Sequence, residues 1–284
     1  MTLRQGQDEA AFSNIGKKDQ MNDAPVLKQI ENRVATLTLN RPERRNALSP
    51  QLLDLLVTNL DELGKDDAVR AVVIQGAGDK VFSSGYDLAT LPAGVGTEDI
   101  ARASENPLER AIQAIHAYPY PVIAMIKGYA YGAACELALS CDFRVAAQEV
   151  KMGFPPAKLG IIYPPLGLLR MVRKIGIQAA KELFFTGRSI EPSRVKALGL
   201  VDFYVERDQL EAATYGLATE IAANAPLSLK GIKRIIGIAE RTPSLTSEEQ
   251  AELGAMVMEA FNSEDAREGL TAFFEKRKPC FTGR

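Results

Sequence analysis

Residues 120–142 read YPVIAMIKGYAYGAACELALSCD, and this stretch limits the possible folds most tightly. The apolar run Val122–Ile126 predicts a buried strand, the small residues of 127–132 a tight turn, and the run that follows a helix. That helix carries one acid, Glu136, among Ala134, Cys135 and Leu137. Small residues in the turn let a ligand approach the backbone, and the first helical turn leaves N–H groups unpaired at the positive end of the helix dipole. Such a turn suits a reaction in which negative charge develops on an oxygen, because fixed donors need no reorganisation as the charge appears. A carboxylate inside an apolar helix is seldom buried without a partner or a task, so Glu136 is the leading candidate for chemistry.

The rest of the chain repeats this strand, turn and helix order. Val26–Glu31 and Val34–Leu39 predict a hairpin through Asn32, followed by a polar, basic loop at 40–48. Ser49 and Pro50 are a good N-cap and first helical residue, Leu52, Leu53, Leu56, Leu60 and Leu63 follow at helical spacing, and Gly64 closes the helix. Residues 70–75 predict a strand buried on both faces, and VFSSGYDL at 81–88 is a second small-residue turn before a helical segment. A helical pattern covers 98–118, interrupted at Pro107 and ending near His116, the single histidine, whose place suits a charge at a helix C-terminus better than catalysis. A strand at 143–146, a turn-rich loop at 151–160, helices at 166–175 and 179–185, a helix opened by the cap-like 189–192 and a strand at 201–205 complete an α/β body. Beyond residue 208 four helices are predicted, at about 209–224, 227–240, 246–262 and 264–276. In such crossover folds, binding loops gather at the carboxyl ends of the strands, so two small-residue turns from neighbouring strands can face one site.

Charge excludes some partners. Lys plus Arg total 34 against 36 for Asp plus Glu, so no global field attracts nucleic acid or an anionic membrane. No apolar run approaches the length of a membrane span. Cys135, Cys141 and Cys280 lack metal-ligand spacing and predict reduced thiols in a cytoplasmic protein, with no metal site. Residues 1–24 mix acids and bases without signal-peptide features and predict a mobile N-terminal extension. The glycines also lack the G-x-G-x-x-G of a dinucleotide-binding turn.

Four ordered stretches, LTLNRPERRNAL (37–48), VFSSGYDL (81–88), IKGYAYGAACELALSCD (126–142) and FFEKRKPCFTGR (273–284), resemble the enoyl-CoA hydratase/isomerase (crotonase) family. The resemblance runs from about Val26 to the C-terminus. It implies an α/β crotonase (ClpP-like) fold: a repeated ββα spiral core over 25–205 holding an acyl-CoA site, then a helical trimerisation region over 206–284. It also implies a homotrimer or dimer of trimers, an acyl-CoA thioester substrate, a place in fatty acid metabolism, and no cofactor beyond the coenzyme A of the substrate.

By motif position, the resemblance assigns the oxyanion donors to the backbone N–H groups of Tyr86, after Ser84 and Gly85, and of Ala133, after Gly132. Glu136 falls on the first catalytic glutamate of the family's hydratases. The second falls in Gly153-Phe154-Pro155-Pro156-Ala157-Lys158-Leu159-Gly160, where Pro156 stands in its place, and proline cannot move a proton. Tyr163, Tyr86 and Tyr131 are each either a substitute acid or pocket lining, since a phenol of ordinary pKa near 10 can donate but is a poor base at neutral pH. Glu149 reads as a residue of a solvated turn. Arg44 and Arg45, with Asp87 beside the oxyanion turn, and Phe273 and Lys276 at the C-terminus, are the residues implied for coenzyme A and substrate binding. The leading expectation is syn-hydration of a 2-enoyl-CoA with Glu136 as sole carboxylate. The alternatives are isomerase, decarboxylase or hydrolase chemistry, or a non-catalytic acyl-CoA-binding relative.

Overall fold

The computed structural model describes residues 23–65, 67–90, 106–159, 163–241, 248, 251–252, 255, 259, 263–277 and 279–284. The extension predicted at 1–24 lies almost wholly outside the described residues, as do 98–105 of the third helical pattern and most of the helix predicted at 246–262.

The hairpin forms as expected: β1 (Val26–Glu31) pairs antiparallel with β2 (Val34–Leu39) around Asn32 and Arg33, both at positive φ. β2 then opens a parallel series through β3 (Ala71–Gly76), β5 (Val122–Ile126), β7 (Phe143–Ala147) and β9 (Phe203–Val205), giving a six-stranded sheet in the order β1-β2-β3-β5-β7-β9. Val72 and Ile74 of β3 enter one apolar cluster, while Ala71 and Val73 enter a second on the opposite face. This is why its sequence reads as continuously apolar. The same division splits β5, with Val122, Ala124 and Ile126 on one side and Ile123 and Met125 on the other.

A second, three-stranded parallel sheet is built from β4 (Val81–Ser83), β6 (Tyr129–Tyr131) and β8 (Lys151–Gly153). β6 and β8 correct the sequence reading, which took 127–132 and 151–160 as turn and loop. Three residues are too few to display a period of two, so pairing partners decide these strands. β1 and β2 lead into the first helix, and β3, β5 and β7 are each followed by a short strand and then helical turns, giving the repeated ββα order expected.

The helices follow their start signals. α1 (Pro50–Leu63) is capped by Ser49, which accepts from Leu52 N–H at 3.3 Å, and five of its six leucines, Leu52, Leu53, Leu56, Leu60 and Leu63, are buried, each worth about 1.5–3 kcal/mol of burial. α2 (Pro107–Ala117) begins at the proline expected to interrupt it, with Asn106 accepting from Leu108 N–H. Proline at the first helical position has no N–H to leave orphaned, so it opens the helix. α3 (Ala133–Ser140) is buried throughout. The two helices expected at 166–175 and 179–185 form as two segments of α4 (Pro165–Thr186), separated at Gly176, whose φ 79 and ψ 158 are non-helical. After α5 (Pro192–Ala197), α6 (Leu210–Ala222) covers the second face of the large sheet through Leu210, Ala218 and Ile221. α7 (Pro226–Arg241) and α8 (Glu264–Glu275) complete the described helical region.

Candidate active site

The small sheet positions the site. In its register Ser83 pairs with Ala130, and Tyr131 with Gly153, so the turns after β4, β6 and β8 emerge side by side from the carboxyl ends of their strands. These turns carry Gly85-Tyr86, Gly132-Ala133 and Pro155-Pro156.

The first turn is held by polar bonds. Tyr86 forms a parallel bridge to Leu48, in which Leu48 N–H donates to Gly85 O at 2.8 Å and Asp87 N–H to Leu48 O at 3.0 Å. A parallel bridge uses the groups on either side of its central residue, so the Tyr86 N–H faces away from it. Arg41 Nη1 donates to Asp87 Oδ2 at 2.7 Å and to Ala47 O at 2.9 Å. Gly85 adopts φ 101, and a Cβ there would stand 2.6 Å from Tyr131 O and 3.7 Å from Ala133 N. Only glycine therefore fits where the two donor turns meet.

The second turn is shaped by conformation. Gly132, the N-cap of α3, takes φ 54 and ψ −121, and its N–H donates to Gly153 O at 2.8 Å. No side chain caps α3, and the Ala133 N–H is free of an acceptor among the described residues. The two N–H groups expected to hold an oxyanion thus lie on turns in direct contact, with the positive end of α3 behind one of them.

Glu136, one turn into α3, is 2% exposed. Oε2 accepts from the Tyr163 hydroxyl and Oε1 from Arg170 Nη1, both in short contacts. Gly167, on α4, allows this close approach: a Cβ there would lie 2.7 Å from Glu136 Oε1 and 2.8 Å from the Tyr163 ring. Burial raises the Glu136 pKa above the usual carboxylate range; the bond from Tyr163 and the charge and bond of Arg170 oppose this, while the Glu109 charge adds to it. Tyr163, packed against Phe154 and Phe184, is raised well above an ordinary phenol by burial and then by the Glu136 charge. It is therefore a neutral O–H donor at neutral pH.

Tyr163 is thus the tyrosine that meets Glu136. Tyr86 packs its ring against the main core, and Tyr131 hydrogen-bonds Ser189 Oγ at 2.8 Å. Pro156 is buried at the start of a 3-10 turn (Pro156–Leu159), in the third of the three turns. Glu149 is exposed and paired with Arg207, as a residue of a solvated turn should be.

The binding residues divide into two groups. Arg44 and Arg45 are exposed and carry no ion pair among the described residues, and Ser84 N–H donates to Arg45 O at 3.1 Å, which ties their loop to the first donor turn. The Asp87 carboxylate is occupied by Arg41, which makes it a brace for that turn. Phe273 lies on α8, and Lys276, directly after it, is exposed at φ 55. α8 bonds the C-terminal tail through Asp265, which accepts from Thr282 and Gly283 N–H.

The sequence reading missed Arg170 and Glu109. Arg170 Nη2 donates to both Glu109 carboxylate oxygens at 2.7 Å, joining α2, α4 and α3 in one charged chain. The signal that singled out Glu136, a charge within an apolar helical run, was also present at Arg170 in LGLLRM. Asn46, fully buried, was missed too: Nδ2 donates to Ala77 O and Val81 O, anchoring the basic loop.

The sequence profile of the family described as Enoyl-CoA hydratase/isomerase matches residues 29–284. The chain is 39% identical over 252 residues to a putative enoyl-CoA hydratase of Thermus thermophilus, covering 87% of this chain and 97% of that one. It is 33% identical over 253 residues to methylmalonyl-CoA decarboxylase of Escherichia coli, covering 89% and 95%. Among solved structures, an enoyl-CoA hydratase/carnithine racemase from Magnetospirillum magneticum superimposes with a TM-score of 0.84 at 33% identity, covering 91% of this chain and 96% of the other.

Proposed function

The chain belongs to the enoyl-CoA hydratase/isomerase (crotonase) family, and from that premise we propose that it is a lyase adding water to a 2-enoyl-CoA thioester. The observation that carries the proposal is the buried Glu136 carboxylate beside two converging turns whose Tyr86 and Ala133 N–H groups are unpaired among the described residues. In the reaction proposed, those N–H groups hold the thioester oxygen. Water adds through its oxygen to the β-carbon while Glu136 takes its proton, and the electron pair of the double bond passes to the thioester oxygen as an enolate. The enolate collapses as Glu136 returns a proton to the α-carbon on the same face, so one molecule of water is added and the carboxylate is regenerated. Glu136 serves as both base and acid because Pro156 removes the second candidate. A pKa raised by burial suits a group that must both take and give a proton near neutrality.

Arg44 and Arg45 are assigned to the coenzyme A phosphates, supported by their exposure and by the bond from Ser84 to Arg45 O. Self-association belongs to the same proposal, supported by Ile232, Ile235 and Ile236, which are exposed on α7.

Pro156 favours a second reading, decarboxylation of a 2-carboxyacyl-CoA. Loss of carbon dioxide likewise leaves a thioester enolate, needs no base, and asks only for the oxyanion donors and one proton donor. Two assays separate the readings: loss of the conjugated-thioester absorbance of crotonyl-CoA, and carbon dioxide release from malonyl- and methylmalonyl-CoA. Turnover of the enoyl thioester supports hydration. Turnover of the carboxylated thioesters alone transfers the proposal to decarboxylation, and binding without turnover of either sinks both.

A further inference from the structure

Arg170 lies between two carboxylates and divides its hydrogen bonds unequally. One amino group, Nη1, reaches Glu136, while Nη2 is shared by both oxygens of Glu109 at 2.7 Å. Glu109 stands on α2, Arg170 on α4 and Glu136 on α3, so three helices must pack together for the chain of charges to form. The side chains of Glu109 and Arg170 are only 13% and 16% exposed, too enclosed for an ordinary surface pair.

Resting on the reading of Glu136 as the acid–base group, we propose that Glu109 is a positioning residue. By engaging one amino group of Arg170, it denies Glu136 the two-pronged guanidinium contact and keeps that carboxylate able to accept a proton.

The physical reason lies in the shape of guanidinium. Its two parallel N–H donors match one carboxylate, and a carboxylate so clasped is stabilised as an anion and becomes a weak base. In this site Glu109 competes for the clasp. Burial acts against the Arg170 charge, yet the bonds to Glu109 and the nearby Glu136 and Glu109 charges outweigh it, so the guanidinium stays protonated and serves both partners. The Glu109 charge also raises Glu136 directly. Losing Glu109 therefore acts twice in one direction, freeing Arg170 to clasp Glu136 and removing a repelling charge.

The other groups facing this cluster act separately. Tyr163 donates to Glu136 from the segment before α4. Cys135, beside Glu136 on α3, is pushed up to about 12 by burial and remains a thiol. His116, on α2, is lowered by desolvation and then by the Arg170 charge. Gln113 Nε2 donates to Glu109 Oε1 at 3.3 Å, which steadies Glu109 without adding charge.

The test follows protonation of Glu136 directly, through the infrared carbonyl band of its neutral carboxyl group. The band is isolated by subtracting spectra of Glu136→Gln and titrated in wild type and Glu109→Gln. We expect the Glu109→Gln midpoint to move to lower pH. In steady-state hydration, kcat near neutrality falls about tenfold, within the range of general acid–base contributions, while KM changes little. A midpoint equal to or above wild type, in a variant whose circular dichroism and melting match wild type, overturns the proposal. Should Glu109→Gln not fold, Glu109→Asp carries the same test, because it draws the charge back from Arg170. Its midpoint must also fall, and one at or above wild type overturns the proposal. A wild type that hydrates no enoyl thioester sinks the hydratase reading alone, since the titration needs no turnover.

Discussion

The two turns that present N–H groups to the candidate oxyanion site reach one place by different physics. The Tyr86 turn combines Gly85, at φ 101, with a β-bridge to Leu48 and the Arg41–Asp87 ion pair, polar contacts that a substitution can loosen one at a time. The Ala133 turn rests on one unusual glycine backbone, at φ 54 and ψ −121, and on a helix buried along its whole length. Polar bracing costs little in strain but depends on several residues staying in register. Backbone conformation depends on a single residue and tolerates few others there. Glu136 lies on α3, the buried helix behind the second turn, which suits a group that must hold its angle to the substrate.

That contrast can be broken at several points. The largest effect is expected from Glu136→Gln, which removes the proposed acid–base group and lowers kcat by about three orders of magnitude, within the span of such catalysis, with little change in thioester affinity. Steady-state kinetics and equilibrium binding of a saturated acyl-CoA check it; substantial remaining turnover would assign the proton transfers elsewhere.

Next, Gly85→Ala forces a Cβ to within 2.6 Å of Tyr131 O and pushes the two turns apart, lowering kcat about 100-fold as a lost oxyanion donor does. Gly132→Ala is the matching test, because a Cβ there meets nothing within 4 Å and the cost is backbone strain of about 1–3 kcal/mol, read as a lower melting temperature. Equal kinetic losses in the two variants would show that contact between the turns is not the distinguishing feature.

Tyr163→Phe removes a hydrogen bond that favours the charged form of Glu136, so the Glu136 pKa rises further and the acid limb of the kcat profile moves to higher pH. The expected fall in kcat at neutral pH is about tenfold, and a limb that stays in place would leave Tyr163 as pocket lining. The smallest effect is assigned to Asp87→Asn, which weakens the brace of the first turn. Because Arg41 is 20% exposed and keeps its bond to Ala47 O, we expect a loss of about 1 kcal/mol in stability and a few-fold fall in kcat, checked by denaturant unfolding beside kinetics.

Legibility in the sequence followed the length of the signal. The leucine stripe of α1, its Ser49 cap and the doubly buried β3 all carry their patterns within a dozen residues, and all appear in the structure. β6 and β8 were read as turn and loop because a strand of three residues has no periodicity of its own. Glu136, Tyr86, Ala133 and Tyr163 were identified from local composition and motif position, and the fold places Tyr163 on Glu136 and the two donor turns in contact. Glu109 and Arg170 were missed because their meaning lies in a partner 61 residues away.

The order of the longer strands and helices, the absence of a second carboxylate at Pro156 and the single acid within an apolar helical run are properties of the sequence itself, since each depends on residue type and near-neighbour spacing. Which donors bond Glu136, and how one guanidinium is divided between two carboxylates, only the tertiary structure decided. Those bonds join α2, α3 and α4 across tens of residues, and hydrogen-bond geometry acts through space rather than along the chain.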